Sequence, residues 1–274
     1  MLPNIIFQLS IYLLFNYQND FLKDQKRYSR VRGAIAEKQE VIESNLNDFN
    51  LKIDNYHLLI IAYKVSDELE LYAKRKEDIQ YIKIKSYDIC SRSGALGPKR
   101  KKGDLQVPKG FYHNDRFNPA SRFHLSLGLN YLNLSDKRKR KFPDLGGDIF
   151  IHGACVTIGC LPMTDEKTKE IYLYAVYAKN NGQCKIPVYV FPYKMNKENM
   201  DKYLDMFKQN QELTNFWGNL KEGYDLFKRN QKELKITVSQ EGKYLFEGDF
   251  KLSHPHLTFT DPNHFFTFLT FDFS

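Results

Sequence analysis

Short apolar runs separated by turn-forming residues constrain the fold of this chain most strongly. Runs with the length and composition of β-strands occur early, at residues 57–63, 69–72 and 81–84. Clusters of Gly, Pro and Asn follow, at residues 94–98, 107–110, 118–119 and 146–147. Further strand-like runs lie among and after these clusters, at residues 122–129, 148–152 and 186–191. We therefore predict a β-rich central domain over about residues 55–193.

Helical patterns flank and interrupt this domain. Residues 21–49 repeat apolar side chains at helical spacing without a proline, although Gly33 weakens the pattern locally. Residues 163–179 return to this spacing, and Thr164 and Asp165 are suitable N-caps. Two amphipathic helical segments follow, at residues 196–210 and 213–230.

The remaining segments complete the division of the chain. Residues 234–247 have the pattern of a β-hairpin, and residues 264–273 that of a final strand. A chain of 274 residues, 42% of them hydrophobic, is long enough to bury a sizeable core. We predict a β-dominated α+β fold in four parts: an apolar N-terminal segment at residues 1–20, a helical segment at 21–54, the central domain at 55–193 and an α+β extension at 194–274.

The N-terminal segment bears on localisation. Residues 5–15 (IIFQLSIYLLF) are mostly apolar but too few to span a bilayer. Their length suits the hydrophobic region of a secretory signal, yet no Lys or Arg precedes them and no A-x-A cleavage site follows. A signal-like segment and a helix packed on the domain therefore both stay open.

The excess of positive charge lies in two compact runs. The chain has 41 Lys and Arg against 33 Asp and Glu, a net charge of +8. Residues 99–102 and 137–141 hold nine of these cations and no acid, which leaves 32 basic and 33 acidic residues elsewhere. Nucleic-acid binders usually spread their charge along a face with interleaved aromatics. We therefore interpret the two runs as basic loops and expect no nucleic-acid partner.

The cysteines are few and irregularly spaced. Four in a chain of this length are too sparse for a disulfide scaffold, and their spacing matches no zinc signature. A metal site that combines Cys155 and Cys160 with His152 is a weaker alternative. We predict packing roles for Cys90, Cys155 and Cys184, and no metal or organic cofactor.

Residues 146–160 (GGDIFIHGACVTIGC) carry the most informative pattern. A predicted strand delivers His152 to a glycine, and the segment ends in Gly159 and Cys160 before the predicted helix. A cysteine at a helix N-terminus is favoured as thiolate, and a nearby imidazole that takes its proton makes it a nucleophile. The N–H groups of Gly159 and Cys160 are also suited to binding an oxyanion. Both residues have an ordinary structural interpretation as well, because small buried cysteines and satisfied core histidines are common.

Five motifs then occur in a characteristic order over residues 56–227. They are SGALGPK at 93–99, GDLQVPKGFY at 103–112, NPAS with FHLSLG at 118–128, the HG to GC segment at 152–160, and GQ with IPV at 182–188. In these motifs the sequence resembles the YkuD-domain L,D-transpeptidases, which are bacterial cysteine enzymes acting on peptidoglycan stem peptides. It is most similar to their YafK-like branch.

The resemblance implies roles for five residues. Cys160 would be the nucleophile that forms a thioester with the donor stem peptide, and His152 its general base. The backbone of Gly153 would orient the imidazole, and the backbone of Ile158 and Gly159 would hold the oxyanion together with that of the nucleophile. The main branch of the family has Ser-His-Gly-Cys before an arginine, whereas this chain has TIGC before a leucine and matches the YafK-like branch.

Three further residues are candidates for substrate binding. Lys99 could reach a substrate carboxylate, and Thr157 directly precedes the oxyanion segment. His124 could face the pocket, although a structural role is the stronger interpretation. The two basic runs flank the catalytic segment in sequence and could concentrate carboxylate-bearing peptides, while solvated loops explain them equally well.

The resemblance also implies the fold, function and location. It predicts a β-sandwich-like catalytic domain and a cysteine-dependent L,D-transpeptidase of cell-wall remodelling, with peptidoglycan stem peptides as partners, in the periplasm or cell envelope. If water takes the acyl group, the same site makes an L,D-carboxypeptidase or a cross-link-cleaving hydrolase. A non-catalytic peptidoglycan-binding scaffold is a further alternative. A transient association with the envelope membrane and the oligomeric state stay open.

Overall fold

An eight-stranded mixed sheet organises residues 20–247, the part of the chain that the computed structural model describes. Its strands are β1 (His57–Tyr63), β2 (Glu68–Lys74), β3 (Ile82–Asp88), β4 (Gly110–Asn118), β5 (Ser126–Leu129), β6 (Phe150–His152), β7 (Leu161–Pro162) and β8 (Pro187–Phe191). A separate hairpin consists of β9 (Ile236–Val238) and β10 (Tyr244–Phe246). The predicted apolar segment at residues 5–15 and the predicted strand at 264–273 lie outside the described residues.

Helices cover both faces of the sheet. They are α1 (Asp20–Gln25), α2 (Ser29–Asp48), α3 (Leu134–Arg138), α4 (Asp165–Asn180), α5 (Lys197–Met206) and α6 (Gln211–Asn230). None of the helices in the described part of the chain is long and apolar enough to cross a membrane. The predicted α+β class is confirmed.

The strand order is β3-β2-β1-β8-β4-β5-β6-β7. The pairs β1–β8 and β6–β7 are parallel, and the other neighbours are antiparallel. Strand β4 joins two halves of the sheet, because it pairs with β8 over Gly110–His113 and with β5 over Asn114–Asn118, where the register shifts. The candidate site lies in the half formed by β5, β6 and β7.

The apolar run at residues 57–63 becomes a strand buried on both faces. Leu58, Ile60 and Ala62 pack into the core beneath α2 and α4, and the alternate residues Leu59 and Ile61 pack into the core beneath α6. Strands with helices on both faces need such continuous apolar sequences. The side-chain amide of Gln183, in the predicted GQ motif, closes two 2.7 Å hydrogen bonds with the backbone of Leu58.

Local signals predicted several element ends correctly. Thr164 is the N-cap of α4, and its hydroxyl accepts the Lys167 N–H at 3.3 Å. The predicted hairpin is confirmed as β9 and β10. The predicted continuous helix over residues 21–49 was wrong at its N-terminal end, because a turn at residues 26–28 separates α1 from α2. The last residue of α1, Gln25, is buried and accepts a 2.6 Å bond from the Tyr172 hydroxyl on α4.

The predicted strand over residues 122–129 is shorter than expected. Only Ser126–Leu129 forms β5, since His124 has a left-handed backbone conformation with φ of +65°. This conformation is uncommon for a residue other than glycine and does not fit a strand. The segment before β5 therefore forms a turn, which places Phe123 beside His152.

Candidate active site

Two adjacent parallel strands carry the candidate catalytic residues. His152 is the last residue of β6, and Cys160 directly precedes β7. The pairing of Ile151 with Leu161 and of His152 with Pro162 fixes the register of these strands. The chain between them, residues 153–159, leaves and re-enters the sheet edge, so His152 ends one strand and Cys160 leads into its neighbour.

The predicted helix does not begin directly after Cys160. Leu161 and Pro162 form β7 first, and α4 begins at Asp165. The helix dipole acts within the first turn of a helix and does not extend to Cys160 in this arrangement. The prediction that a helix N-terminus favours the Cys160 thiolate was therefore wrong.

His152 is held as a neutral base. Its imidazole is buried, with 2% of the residue exposed, and Nδ1 lies 2.6 Å from the carbonyl oxygen of Gly153. A carbonyl only accepts hydrogen bonds, so Nδ1 carries the proton and Nε2 presents a lone pair. Burial lowers the pKa of His152 below its ordinary value of 6.5, although the bond to Gly153 opposes this shift. The ring of Phe123 covers the imidazole, with 4.7 Å between the ring centroids.

Cys160 rests as a thiol rather than a thiolate. Burial raises the pKa of its thiol above the ordinary value of 9.0. The backbone N–H of Phe150, 3.4 Å from Sγ, lowers it, the carboxylate of Asp148 raises it, and the ammonium of Lys99 lowers it. The nucleophile therefore depends on a base that removes its proton when it attacks.

The Thr157 hydroxyl organises the turn before the nucleophile. Its Oγ1 accepts the N–H groups of Gly159 at 3.1 Å and Cys160 at 2.8 Å, and it donates to the carbonyl of Cys160 at 3.0 Å. The two N–H groups predicted for an oxyanion are thus bonded to Thr157 in this structure. The side chain of Ile158 is 78% exposed, which leaves its backbone as its contribution to the turn.

Two glycines allow the close approach of backbone segments at the site. Gly159 has φ of +140°, and a Cβ there would lie 3.0 Å from the carbonyl oxygen of Gln106. A Cβ on Gly153 would lie well inside contact distance of an Asp165 carboxylate oxygen and 3.0 Å from the Cβ of His124. A side chain at either position would displace the loop between the base and the nucleophile.

A disulfide joins Cys90 to Cys155, with 5.5 Å between their Cα atoms. The predicted packing roles of Cys90 and Cys155 were therefore wrong, and Cys184 is exposed rather than packed. No sequence signal marks this pairing, because its members lie 65 residues apart and share no motif. With Cys155 bonded to Cys90, the alternative of a metal site shared with Cys160 loses a ligand.

The disulfide anchors a strained part of the loop. Ala154 and Cys155 both have left-handed backbones, with φ of +67° and +49°. The Ala154 N–H donates to an Asp165 carboxylate oxygen at 2.8 Å, and the Cys155 N–H donates to the Met163 carbonyl at 3.2 Å. Such conformations persist where the surroundings fix them, and they concentrate at functional sites.

A small cleft lies beside Cys160, and neither Lys99 nor His124 is among the residues that line it. Lys99 is 5% exposed, and its ammonium is bonded to Asp104 at 2.7 Å. His124 packs behind Gly153, with its Nε2 buried and without a hydrogen-bond partner among residues 20–247. Their predicted contacts with substrate do not follow from this geometry.

Sequence reasoning missed the residues that do line this cleft. They include Arg92, Ser93 and Val107. The Ser93 hydroxyl is buried without a partner in the described part of the chain, and Arg92 pairs with Asp67. Ser93 opens the SGALGPK motif, a signal that could have identified it, whereas nothing marks Arg92.

A neutral imidazole with an available lone pair, next to a strand led by a thiol, is an arrangement suited to nucleophilic acyl transfer. Such a site needs no metal ion. Within residues 20–247, no group of three or more His, Cys, Asp or Glu side chains is arranged to hold one. The thiol and the imidazole are thus the groups at this site whose chemistry suits acyl transfer or hydrolysis.

Comparison with known proteins identifies the family. The chain is 34% identical over 188 residues to the Escherichia coli K12 protein named "Putative L,D-transpeptidase YafK", a match that covers 68% of this chain and 72% of that protein. The chain belongs to the L,D-transpeptidase family, in the branch of YafK. No family model matches the chain.

Solved structures show weaker likenesses. The helical cell shape determining protein Pgp2 from Campylobacter jejuni has 19% identity and a TM-score of 0.40, covering 67% of this chain and 74% of Pgp2. Bd1075 of Bdellovibrio bacteriovorus has 19% identity and a TM-score of 0.37, covering 68% of this chain and 75% of Bd1075. At these scores the family assignment rests on the sequence relative.

Proposed function

We propose that this protein is a cysteine-dependent peptidoglycan L,D-transpeptidase that acts on stem peptides, with Cys160 as nucleophile and His152 as general base. The observation that carries the proposal is the 2.6 Å contact between His152 Nδ1 and the Gly153 carbonyl, which leaves Nε2 as the proton acceptor. Family membership adds the substrate class.

The first step forms a thioester. His152 Nε2 takes the proton of the Cys160 thiol as Sγ attacks the carbonyl carbon of a peptide bond in the donor stem. A tetrahedral intermediate collapses when the imidazolium gives that proton to the leaving amine, and the carbon–nitrogen bond breaks. The acyl group is then held on Sγ, and the released part of the peptide departs with a free amine.

The second step transfers the acyl group. An acceptor amine attacks the thioester carbon, loses a proton to His152, and forms the new amide as the carbon–sulfur bond breaks. The thiolate of Cys160 then takes the proton back. If water attacks instead, the product is a carboxylic acid, and the same site is a carboxypeptidase or cross-link-cleaving hydrolase.

The oxyanion of both steps requires N–H donors. In the proposed mechanism the N–H groups of Gly159 and Cys160 donate to the oxyanion while the Thr157 hydroxyl, still bonded to them, keeps the turn in shape. The N–H of Ile158 adds a third donor. Each oxyanion donor contributes about 3–4 kcal/mol to lowering the barrier in well-studied acyl-transfer enzymes.

The disulfide supports the location that we propose, the periplasm or cell envelope. Disulfides persist in oxidising compartments and are rare in the reducing cytosol. The Cys90–Cys155 bond ties the loop between His152 and Cys160 to the segment that follows β3. Peptidoglycan stem peptides, the substrates that we propose, are found in the same compartment.

Intact mass spectrometry after mixing the protein with a defined muropeptide tests the proposal. We expect a thioester-sized adduct on the native protein and on Cys184→Ala, a control for the exposed cysteine, and none on Cys160→Ala. Cross-linked product with the adduct supports the transpeptidase. The adduct with only shortened or uncoupled peptide assigns a hydrolase. The absence of adduct and turnover with several stem peptides contradicts catalysis and leaves a peptidoglycan-binding scaffold.

A further inference from the structure

The two basic runs of the sequence converge on one cleft. This cleft has a volume of about 840 Å³ and is distinct from the small cleft at Cys160. Arg100 from the first run lines it, together with Lys139 and Lys141 from the second. Its other walls come from the N-terminal half of α6 and from the turn of the β9–β10 hairpin. The volume is typical of sites for small ligands and peptide segments.

Two cations meet over one aromatic ring in this cleft. The guanidinium carbon of Arg100 lies 5.7 Å from the centroid of the Phe216 ring, and the Lys139 ammonium lies 5.2 Å from it. Burial lowers the pKa of Lys139, and the positive charge of Arg100 lowers it further. Two like charges held this close favour an anion that both can contact.

The cleft retains unused positive charge. Lys141 pairs with Glu212 at 2.6 Å, a pair at its rim. The Lys139 ammonium forms neither an ion pair nor a hydrogen bond within residues 20–247. Arg100 has one acidic neighbour, Asp136 at 3.6 Å, and its buried Nε has no partner in the described part of the chain.

The single buried acid does not neutralise both cations. Burial raises the pKa of Asp136 to about 6, and it also accepts the Tyr112 hydroxyl at 3.1 Å. Near neutral pH this carboxylate balances one of the two charges at Phe216. Glu212, Glu222 and Glu241 also line the cleft, but Lys141 pairs with Glu212 and Lys243 pairs with Glu222. The Lys139 ammonium is therefore the lining cation without an ion pair in the described part of the chain.

The wall of the cleft is tied directly to the nucleophile loop. Lys109 is 1% exposed, and its ammonium donates to the carbonyls of Ala95 at 3.0 Å and Gly97 at 2.7 Å, and lies 3.4 Å from the side-chain oxygen of Gln106. Gly97 lines the cleft, and the Gln106 carbonyl is the group that Gly159 approaches. One buried ammonium thus links the cleft to the turn before Cys160.

We propose that this cleft binds a carboxylate of a peptidoglycan stem peptide, with Lys139 and Arg100 as its anchors. The ligand class follows from the paired cations, and its identity as a stem peptide rests on the proposed function. The cleft then holds a part of the peptide that is remote from the reacting bond. Residues 94–109 lie between this cleft and Cys160. It also gives the C-terminal extension a role in substrate binding.

Calorimetric titration tests the proposal without chemistry, on the Cys160→Ala protein. The probes are a synthetic stem peptide ending in diaminopimelate and D-alanine, and the same peptide with every carboxylate amidated. Loss of a charge-assisted contact predicts that Lys139→Ala raises the Kd of the acidic peptide by about tenfold or more. Lys137→Ala, an equal charge change at an exposed position, should change it less than about twofold. The amidated peptide should bind weakly to all three proteins.

Equal affinity of Lys139→Ala and the parent protein overturns the assignment, as does equal binding of the amidated peptide. An equal loss with Lys137→Ala also overturns it, because the effect is then one of net charge. Melting temperatures of the variants establish that they fold. A thioester on native protein combined with Lys139-independent binding removes only the cleft proposal, whereas Lys139-dependent binding without a thioester removes only the catalytic one.

Discussion

Two side chains set the resting state of the candidate site, and burial shifts their pKa values in opposite directions. It lowers the pKa of His152 and raises that of Cys160. Both groups are therefore neutral near pH 7, unlike the thiolate–imidazolium pairs in which the thiol pKa is depressed. In the mechanism that we propose, proton transfer to His152 therefore accompanies the attack of Sγ.

The rate of Cys160 acylation should depend on pH through His152. Protonated His152 is no base, so the rate falls as pH drops through its pKa, which burial places below 6.5. The Phe123→Ala variant exposes the imidazole, raises its pKa towards 6.5 and shifts this acid limb to higher pH. Initial rates of adduct formation across the acidic and neutral range measure the limb. Phe142→Ala, another half-exposed phenylalanine, is the control, and an unshifted limb in Phe123→Ala contradicts the role of this ring.

We expect acylation of Cys160 to require the hydroxyl group of Thr157. Thr157→Val removes the acceptor of two N–H groups at the turn, and since a hydrogen bond contributes about 1 kcal/mol net, we expect acylation to slow by about fivefold. Thr157→Ser keeps the hydroxyl and should stay close to the native rate. Single-turnover acylation of the three proteins gives the comparison. Faster acylation in Thr157→Val would mean that the hydroxyl only blocks the oxyanion site.

Two glycines of helix α6 differ in the space around them. A Cβ on Gly223 would lie 2.5 Å from the Phe111 ring, whereas one on Gly218 meets nothing within 4 Å. We expect Gly223→Ala to lower the free energy of unfolding by about 1–3 kcal/mol through overpacking. Gly218→Ala should raise it by up to about 1 kcal/mol through helix propensity. Urea unfolding of both variants measures this difference, and equal effects would contradict the close contact.

Features that depend on neighbouring residues were predicted from the sequence, and features that depend on contacts between distant residues were not. The strand at 57–63 and the N-cap Thr164 depend on local apolar runs and on a single side chain, and both were predicted. Strand β7 has only two residues, Leu161–Pro162, and is defined by its pairing with β6. Two residues are too few to form the alternating apolar pattern by which a strand is predicted. The shortened β5 depends on the left-handed backbone of His124, which its residue type does not require.

The disulfide constrains the molecule over a long span of chain. The bonded cysteines lie 65 residues apart, and for a loop of this size loss of the bond costs about 2–4 kcal/mol. We therefore expect a Cys90→Ser, Cys155→Ser double variant to unfold at lower urea and to acylate Cys160 more slowly, because Ala154 and residue 155 lose their anchor. The control is Cys184→Ser. Unchanged acylation in the double variant would show that the hydrogen bonds of the loop suffice.

The two clefts also differ in how far they could be predicted from the sequence, because one of them combines residues that are distant in sequence. The pattern around His152 and Cys160 is continuous in sequence and matches family motifs, so their proximity could be predicted. The cleft at Phe216 unites Arg100 with Lys139, residues from separate runs that only the packing of α6 and the hairpin brings together. The pairing of Cys90 with Cys155 is hidden for the same reason.

The position of β8 has a consequence for how the chain matures. Residues 187–191 follow both His152 and Cys160 in sequence, yet β8 lies between β1 and β4 and connects strands β1 to β3 to the rest of the described sheet. Domains fold as units while synthesis proceeds. A nascent chain that has not yet released residue 191 holds the thiol and the imidazole without a joined sheet to align them. We therefore expect the proposed reactive centre to form only after residue 191 has been released, and a chain that ends before β8 to leave Cys160 unreactive.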